Sequence, residues 1–289
     1  MIMKKIFIKN ALPLLIICGM GMTSCYQKFD TKSYQPAFTV NGYTSSAEIG
    51  SGSLVGYWAF DGSLIDSISK TAGTNAGTTF ANGFKGQALS LNVSAKSYVT
   101  STPSNAIKGL SSFTISFWVN PTFVDADNDK KIDGILGFVN LARTNDFWGN
   151  IDWFVENNST TSAAIIKAHV VGGTTDAWLT LNNVSNLFGV WSNHTLTYNA
   201  GSSTLTYYIN GAPVTSAAAG WTGPIQFPST GGLAFGTVQF MTTPSLTTTH
   251  GAEPWASYLT GLMDEVRVYN KALTASDIQA LIVLQGKGK

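Results

Sequence analysis

The stretch Asp125-Ala126-Asp127-Asn128-Asp129-Lys130-Lys131-Ile132-Asp133-Gly134 sets carboxylates at its first, third, fifth and ninth places. Oxygen donors spaced this way in a loop can converge on one hard cation such as calcium. Such loops usually place Gly sixth, where the chain turns sharply. Lys130 stands there and brings both bulk and positive charge. A solvated acidic loop, balanced by Lys130 and Lys131, is the competing reading.

A second group of polar side chains surrounds Trp148-Gly149-Asn150-Ile151-Asp152-Trp153-Phe154-Val155-Glu156. On a strand, Asp152, Phe154 and Glu156 share one face. After the turn Asn157-Asn158-Ser159-Thr160-Thr161, Lys167 and His169 share a face opposite Ile166, Ala168 and Val170. If the two strands pair, acidic and basic groups line one concave polar surface. Trp148 and Trp178 lie in Asn- and Thr-rich, loop-like surroundings. Flat apolar platforms beside hydrogen-bonding groups are what a sugar ring needs. Trp58, Trp118 and Trp191 are assigned to the core, and the Trp221 and Trp255 loops stand as the next binding candidates. Retaining glycoside hydrolysis wants two carboxyl groups about 5 Å apart, whereas residues four apart on a strand are separated by roughly 13 Å. Asp152 and Glu156 alone therefore do not form a catalytic pair. His169, His194 and His250 show no zinc spacing, and there is no Ser-nucleophile motif or phosphate loop.

The elements that would hold these residues read as strands. Phe113, Ile115, Phe117 and Val119 alternate with Thr114, Ser116 and Trp118; Leu205, Tyr207 and Ile209 alternate with Thr204, Thr206 and Tyr208. Asn210-Gly211 supplies a two-residue hairpin turn. Near the C-terminus, Leu262, Val266 and Val268 fall on one strand face and Met263, Glu265, Arg267 and Tyr269 on the other, with Asp264 breaking the apolar side. Thr274 reads as a helix N-cap, with Asp277 three residues on, and Ile278, Leu281 and Ile282 give the helix an apolar side. No helical period appears before it. Only 11% of residues are charged and the formal net charge is +1, which argues against a nucleic-acid surface.

The N-terminus reads as an export signal over residues 1–24. Lys4, Lys5 and Lys9 precede a short apolar core at 11–17, too short to span a bilayer. Met22-Thr23-Ser24-Cys25 resembles a lipobox, which implies cleavage before Cys25 and lipidation of its thiol. Cys18 leaves with the signal, so no thiol remains for a disulfide. Residues 25–52, rich in Ser, Thr, Gly and Gln, read as a flexible tether, and residues 53–285 as the folded domain. Tyr26-Gln27-Lys28-Phe29-Asp30 resembles the start of Bacteroidetes outer-membrane lipoproteins, implying a lipid-anchored, surface-exposed protein.

Four stretches, in order, carry a wider resemblance: Tyr57-Trp58-Ala59-Phe60-Asp61-Gly62, Phe113 to Val119, Trp191 to Tyr198 followed by Tyr207-Tyr208-Ile209-Asn210-Gly211, and Gly261 to Thr274. Together they resemble the laminin-G-like, concanavalin-A-like domains of bacterial surface proteins. That implies an all-β fold: a two-sheet antiparallel jelly-roll sandwich with one short C-terminal helix. It also implies a structural calcium ion where the early acidic turn meets the late strand, held by Asp61 and Asp264. The Trp148–Glu156 stretch is similar to the catalytic strand of jelly-roll glucanases, but Asn150 replaces the first Glu. The function expected is a membrane-anchored, non-catalytic carbohydrate-binding protein. It would capture polysaccharide or oligosaccharide at the cell surface, beside an outer-membrane glycan-uptake system. An adhesion or scaffold module that binds protein, and a glycoside hydrolase or lyase, are the alternatives on the same fold.

Overall fold

The computed structural model of the chain describes residues 37–289; the signal segment and Cys25 lie outside the described residues. The alternating stretches become strands β1 (Leu54–Trp58), β2 (Thr74–Ala76), β3 (Thr79–Asn82), β4 (Gln87–Leu91), β5 (Tyr98–Ser101), β6 (Phe113–Pro121), β7 (Ile135–Arg143) and β8 (Ile151–Val155). They continue with β9 (Ala164–Gly172), β10 (Thr175–Val184), β11 (Ser192–Asn199), β12 (Thr204–Ile209), β13 (Ala212–Ala218), β14 (Thr230–Phe235), β15 (Ala256–Ser257) and β16 (Gly261–Tyr269). Two helices accompany them, α1 (Asn105–Lys108) and α2 (Ala275–Gly286). The four-residue α1, capped by Ser104, is too short to leave a helical period in the sequence.

The strands form two sheets. The first runs β13-β12-β11-β6-β16-β4-β3, with β1 also on β16; the second runs β10-β9-β8-β7-β14-β5-β2, with β15 parallel to β7. All other pairings are antiparallel. Phe113, Ile115, Phe117 and Val119 of β6 face Ile151, Trp153 and Val155 of β8 in one apolar core. Trp153 meets Phe117 and Tyr207 edge-on, at centroid distances of 4.8 and 5.0 Å. Removing one such large side chain from water contributes about 1.5–3 kcal/mol. Trp58 is buried in the same core. Asn210 and Gly211 adopt φ of 50° and 81° between β12 and β13, the left-handed pair that a tight hairpin requires.

One polar group sits in this core with its partners. Trp153 Nε1 donates to Tyr207 Oη (2.8 Å), and His194 Nδ1 lies 2.8 Å from the same oxygen and Nε2 lies 3.0 Å from Ser192 Oγ. The indole donates to the phenol oxygen, and a neutral imidazole meets its two hydroxyl neighbours with one donor and one acceptor nitrogen. Burial pushes the His194 pKa down to about 3.

Each sheet's outer face is covered in part. Ile278, Leu281 and Ile282 of α2 pack on Trp118, Tyr208 and Tyr269, and Thr274 Oγ1 accepts from Asp277 N as the N-cap. On the second sheet, Phe240, Met241 and Tyr258 pack over Tyr98 and Phe154.

Two sequence expectations are corrected. The alternation expected for β16 breaks: Met263, Val266 and Val268 all enter the main core. The cause is a β-bulge between Asp264 and Arg267, with Glu265 at φ 52°; the extra residue reverses which parity points inward. The tether expected over 25–52 is folded from residue 38 onward. Ile49 is buried in the cluster that holds Tyr269 and Leu273, Ser46 O accepts from Arg267, and Tyr43 Oη donates to Asp277. An apolar Ile49 and the Val40–Tyr43 turn were hidden in a polar composition. Residues 25–36 lie outside the described residues.

Candidate functional site

β8 and β9 do pair, placing Asp152 opposite His169 and Phe154 opposite Lys167. Asp152 Oδ2 meets His169 Nδ1 at 2.9 Å, and Asp152 Oδ1 accepts from Asn140 Nδ2 at 2.5 Å. His169 Nε2 meets Asp176 Oδ2 at 3.0 Å. Lys167 pairs with Glu156. The expected open polar surface is therefore corrected: Asp152 and His169 are buried, Glu156 is tied to Lys167, and one imidazole is shared between Asp152 and Asp176. Burial drives the Asp152 pKa up, while the His169 hydrogen bond opposes it. An unpaired charge in that position would be costly, which is why Asp152 and His169 come together.

The tryptophans lie over these pairs. Trp178 belongs to β10, not a loop, and sits opposite His169 in register. Its ring stacks on His169, and its Nε1 donates to Asp176. Trp148 lies in the loop before β8, parallel to Phe154 (4°, 5.7 Å) and edge-on to Trp178 (5.5 Å). Beside them opens a cavity of about 210 Å³ lined by Arg143, Asp146, Trp148, His169 and Asp176. Of the six residues predicted for binding, Trp148, Asp152, His169 and Trp178 gather here, and Glu156–Lys167 stands apart as its own ion pair. Arg143, Asp146 and Asp176 were missed; their separation in sequence leaves no pattern, and only the β9–β10 hairpin brings Asp176 in. Trp221 packs beside the core on Tyr198, whereas Trp255 is exposed and lies 6.2 Å from Trp148.

Two acidic groups hold the carboxylates expected to face a hard cation. Asp264 is buried, its Oδ2 accepts from Lys85 N (2.9 Å), and its Oδ1 has no partner. Asp61 Oδ1 accepts from Gln87 N (2.6 Å). Both carboxylates thus flank the turn at 83–87, where Gly83 and Gly86 leave room: a Cβ on Gly86 would stand 2.1 Å from Asp61 Oδ1, and one on Gly83 2.6 Å from Asp264 Oδ2. Burial first, then the charges of Glu265 and Asp61, push the Asp264 pKa up to about 7. An orphaned buried oxygen beside a second carboxylate is a donor set suited to calcium. The two turn glycines were missed, because the short, half-exposed strand before them leaves no apolar pattern to mark the turn. In the acidic loop, Asp125, Asp127 and Asp133 bring one oxygen each within 4.8 Å of one another. Asp129 does not join them: its Oδ1 accepts from Lys131 N (2.8 Å).

Two antiparallel sheets in jelly-roll order, with aromatic rings on one outer face, define the architecture of lectins and glucanases. The chain belongs to the concanavalin A-like lectin/glucanases superfamily, whose laminin-G-type family model matches residues 93–279. No curated protein sequence matches the chain. Among solved structures, it is similar to domain 4 of an extracellular GH43 arabinanase from Geobacillus stearothermophilus in complex with arabinotriose. That match has TM-score 0.52 and 19% identity and covers 79% of this chain and 98% of that one. It is also similar to the binding domain of Paraclostridial Mosquitocidal Protein 1 (TM-score 0.57, 17% identity, 81% and 52% covered). A third is the binding domain of Botulinum neurotoxin DC in complex with SialylT (TM-score 0.58, 14% identity, 82% and 52% covered). The chain spans about half the length of these toxin domains, and the likeness is one of fold.

Proposed function

We propose that the chain is a non-catalytic carbohydrate-binding protein whose contact face is the Trp148–Trp178 surface of the second sheet. The observation that carries this is the exposed indole of Trp178, stacked on the buried His169 beside a polar cavity. Rigid aromatic platforms flanked by hydrogen-bonding groups suit the apolar faces and hydroxyls of a sugar. The arabinanase domain that holds arabinotriose shares the fold over almost its whole length, and this lends the reading support by analogy. Hydrolysis fits less well, because both Asp152 oxygens are engaged and the carboxylate is shut from solvent. In this proposal Cys25 carries a lipid anchor, the protein stands on the outer membrane with its domain at the cell surface, and glycan-uptake proteins are its neighbours there. Among the described residues no helix is long and apolar enough to cross a membrane. A structural calcium ion is held by Asp61 and Asp264, with the Asp125, Asp127 and Asp133 group as the second position. A glycan array probed with the Cys25→Ser chain, with and without chelator, tests the function. Glycan capture without product release supports it; capture of protein partners with no glycan signal supports the adhesion alternative instead.

A further inference from the structure

The aromatic row continues past the first cavity. Trp148 meets Trp178 on one side and Trp255 on the other, and Trp178 and Trp255 are 40% and 36% exposed. Next to Trp255 lies a second cavity of about 320 Å³, lined by Asp127, Asp129, Lys131, Asp133, Asn157 and Asn158. Small-molecule sites usually measure about 300–1,000 Å³, so the first cavity is below that range and the second at its lower end. A ligand that uses both must be extended and must cross the indoles between them.

The charge of this path selects among extended glycans. The two cavities are lined by the carboxylates of Asp146, Asp176, Asp127, Asp129 and Asp133, against the cations Arg143 and Lys131. Arg143 is already tied to Asp146 at 3.0 Å, and His169 is wedged between Asp152 and Asp176. A divalent cation in the acidic loop would bring its four carboxylates and two lysines only to neutrality. An anionic sugar therefore finds no surplus of positive charge, and like charges across a contact repel.

Resting on the glycan-binding reading, we infer that this face binds a linear neutral glycan across both cavities and rejects uronate, sulfated and sialylated chains. The Trp178–Trp148–Trp255 row is the stacking track, and Asn157 and Asn158 are the uncharged hydrogen-bonding groups at its far end.

The test is calorimetric titration of the full chain carrying Cys25→Ser. The probes are arabinan, xylan, mannan and β-glucan, trimers and hexamers of each, and the anions polygalacturonate, heparin and sialyllactose. Each is run at low and high salt, with calcium and with chelator. A neutral polymer should bind with little salt dependence, and its hexamer roughly tenfold more tightly than its trimer. Trp255→Ala should bring the hexamer down to trimer affinity and leave the trimer unchanged. Asp127→Lys with Asp129→Lys, both at exposed positions, should admit polygalacturonate without loss of fold. Binding of the native chain to a polyanion, weakened by salt, overturns the charge selection. Equal affinity for trimer and hexamer, or a length preference untouched by Trp255→Ala, overturns the two-cavity path. Either result leaves glycan binding itself standing; no affinity for any probe overturns that reading and this inference together.

Discussion

Trp178 lies flat on His169, with ring centroids 4.2 Å apart and planes 23° apart, and its indole N–H reaches Asp176 at 3.0 Å. One indole face is thus spent on the imidazole, while 40% of the residue stays exposed to solvent. The imidazole cannot turn away, because Asp152 holds its Nδ1 and Asp176 its Nε2. The buried carboxylate of Asp152 therefore acts at a distance from any ligand: it sets the platform's orientation. Binding to a preset ring costs less ordering entropy than binding to a free one.

Trp178→Ala should weaken glycan binding by about tenfold, a loss of about 1.4 kcal/mol, and leave the melting temperature close to wild type. Trp148→Ala should weaken binding similarly but also lower stability, since the ring is half-buried on Phe154. Asp152→Ala strands a buried His169 and Asn140, and breaking a buried pair costs roughly 3–5 kcal/mol. Titration calorimetry beside thermal melts separates these. Normal binding by both Trp variants would move the glycan site elsewhere.

The sandwich was readable in the sequence because the alternation over β6 and β12 sends one parity of apolar residues into the main core, and a period of two survives without knowledge of the partner strand. That Asp152 and His169 lie on neighbouring strands was legible as a condition, since a short turn joins them, but their burial against each other was not. What stayed hidden has local causes. The bulge at Glu265 is a change of register that an alternating pattern cannot announce. Val40, Tyr43 and Ile49 are scattered apolar residues in polar surroundings, and the cluster they join, with Tyr269 and Leu273, comes from the opposite end of the chain. The cavity's Arg143, Asp146 and Asp176 are brought together by a sheet edge and a loop. Trp178 was expected in a loop because a Thr-rich, solvent-facing edge strand and a loop have similar compositions.

Anchoring is expected to depend on one thiol. Cys25→Ser should leave the domain folded and release it from washed membranes, since the acyl chains supply the membrane affinity. Full retention of that variant in the membrane fraction would remove the lipoprotein from the proposal.

His194 should make the domain sensitive to acid. Its pKa is about 3 in the folded state and about 6.5 in an unfolded chain. The unfolded state therefore binds the proton first as pH falls. The stability this group contributes is complete above about pH 6.5 and is lost progressively as pH falls through about 3. His194→Gln, which keeps hydrogen-bonding capacity without the titration, should show a shallower loss of melting temperature over that window. Identical acid slopes for the two proteins would mean that the imidazole is charged or exposed before unfolding.

Asp264 gives the opposite slope, and calcium should reverse it. Its carboxyl titrates near 3.9 in an unfolded chain and at about 7 in the folded domain, because it is buried with Oδ1 unpartnered and with Asp61 nearby. Without a cation, the folded state holds the proton more tightly. The stability it lends is present below about pH 4 and lost as pH rises through about 7. Each pKa unit corresponds to 1.36 kcal/mol, so the loss is on the order of a few kcal/mol. Asp264→Asn should abolish that slope in chelator. Adding calcium to the native chain favours the ionised carboxylate, so the melting temperature at neutral pH should rise with calcium concentration, as for any ligand bound only by the folded state. Asp264→Asn should remove this response, whereas Asp129→Asn should keep it, because Asp129 stands in the acidic loop and outside even its Asp125, Asp127 and Asp133 group. A calcium response that survives Asp264→Asn and disappears with Asp125→Asn and Asp133→Asn would put the ion in the acidic loop. A melting temperature indifferent to calcium at neutral pH would remove a stabilising ion from both positions, and leave the Asp264 carboxyl beside the turn at 83–87 about half protonated near pH 7.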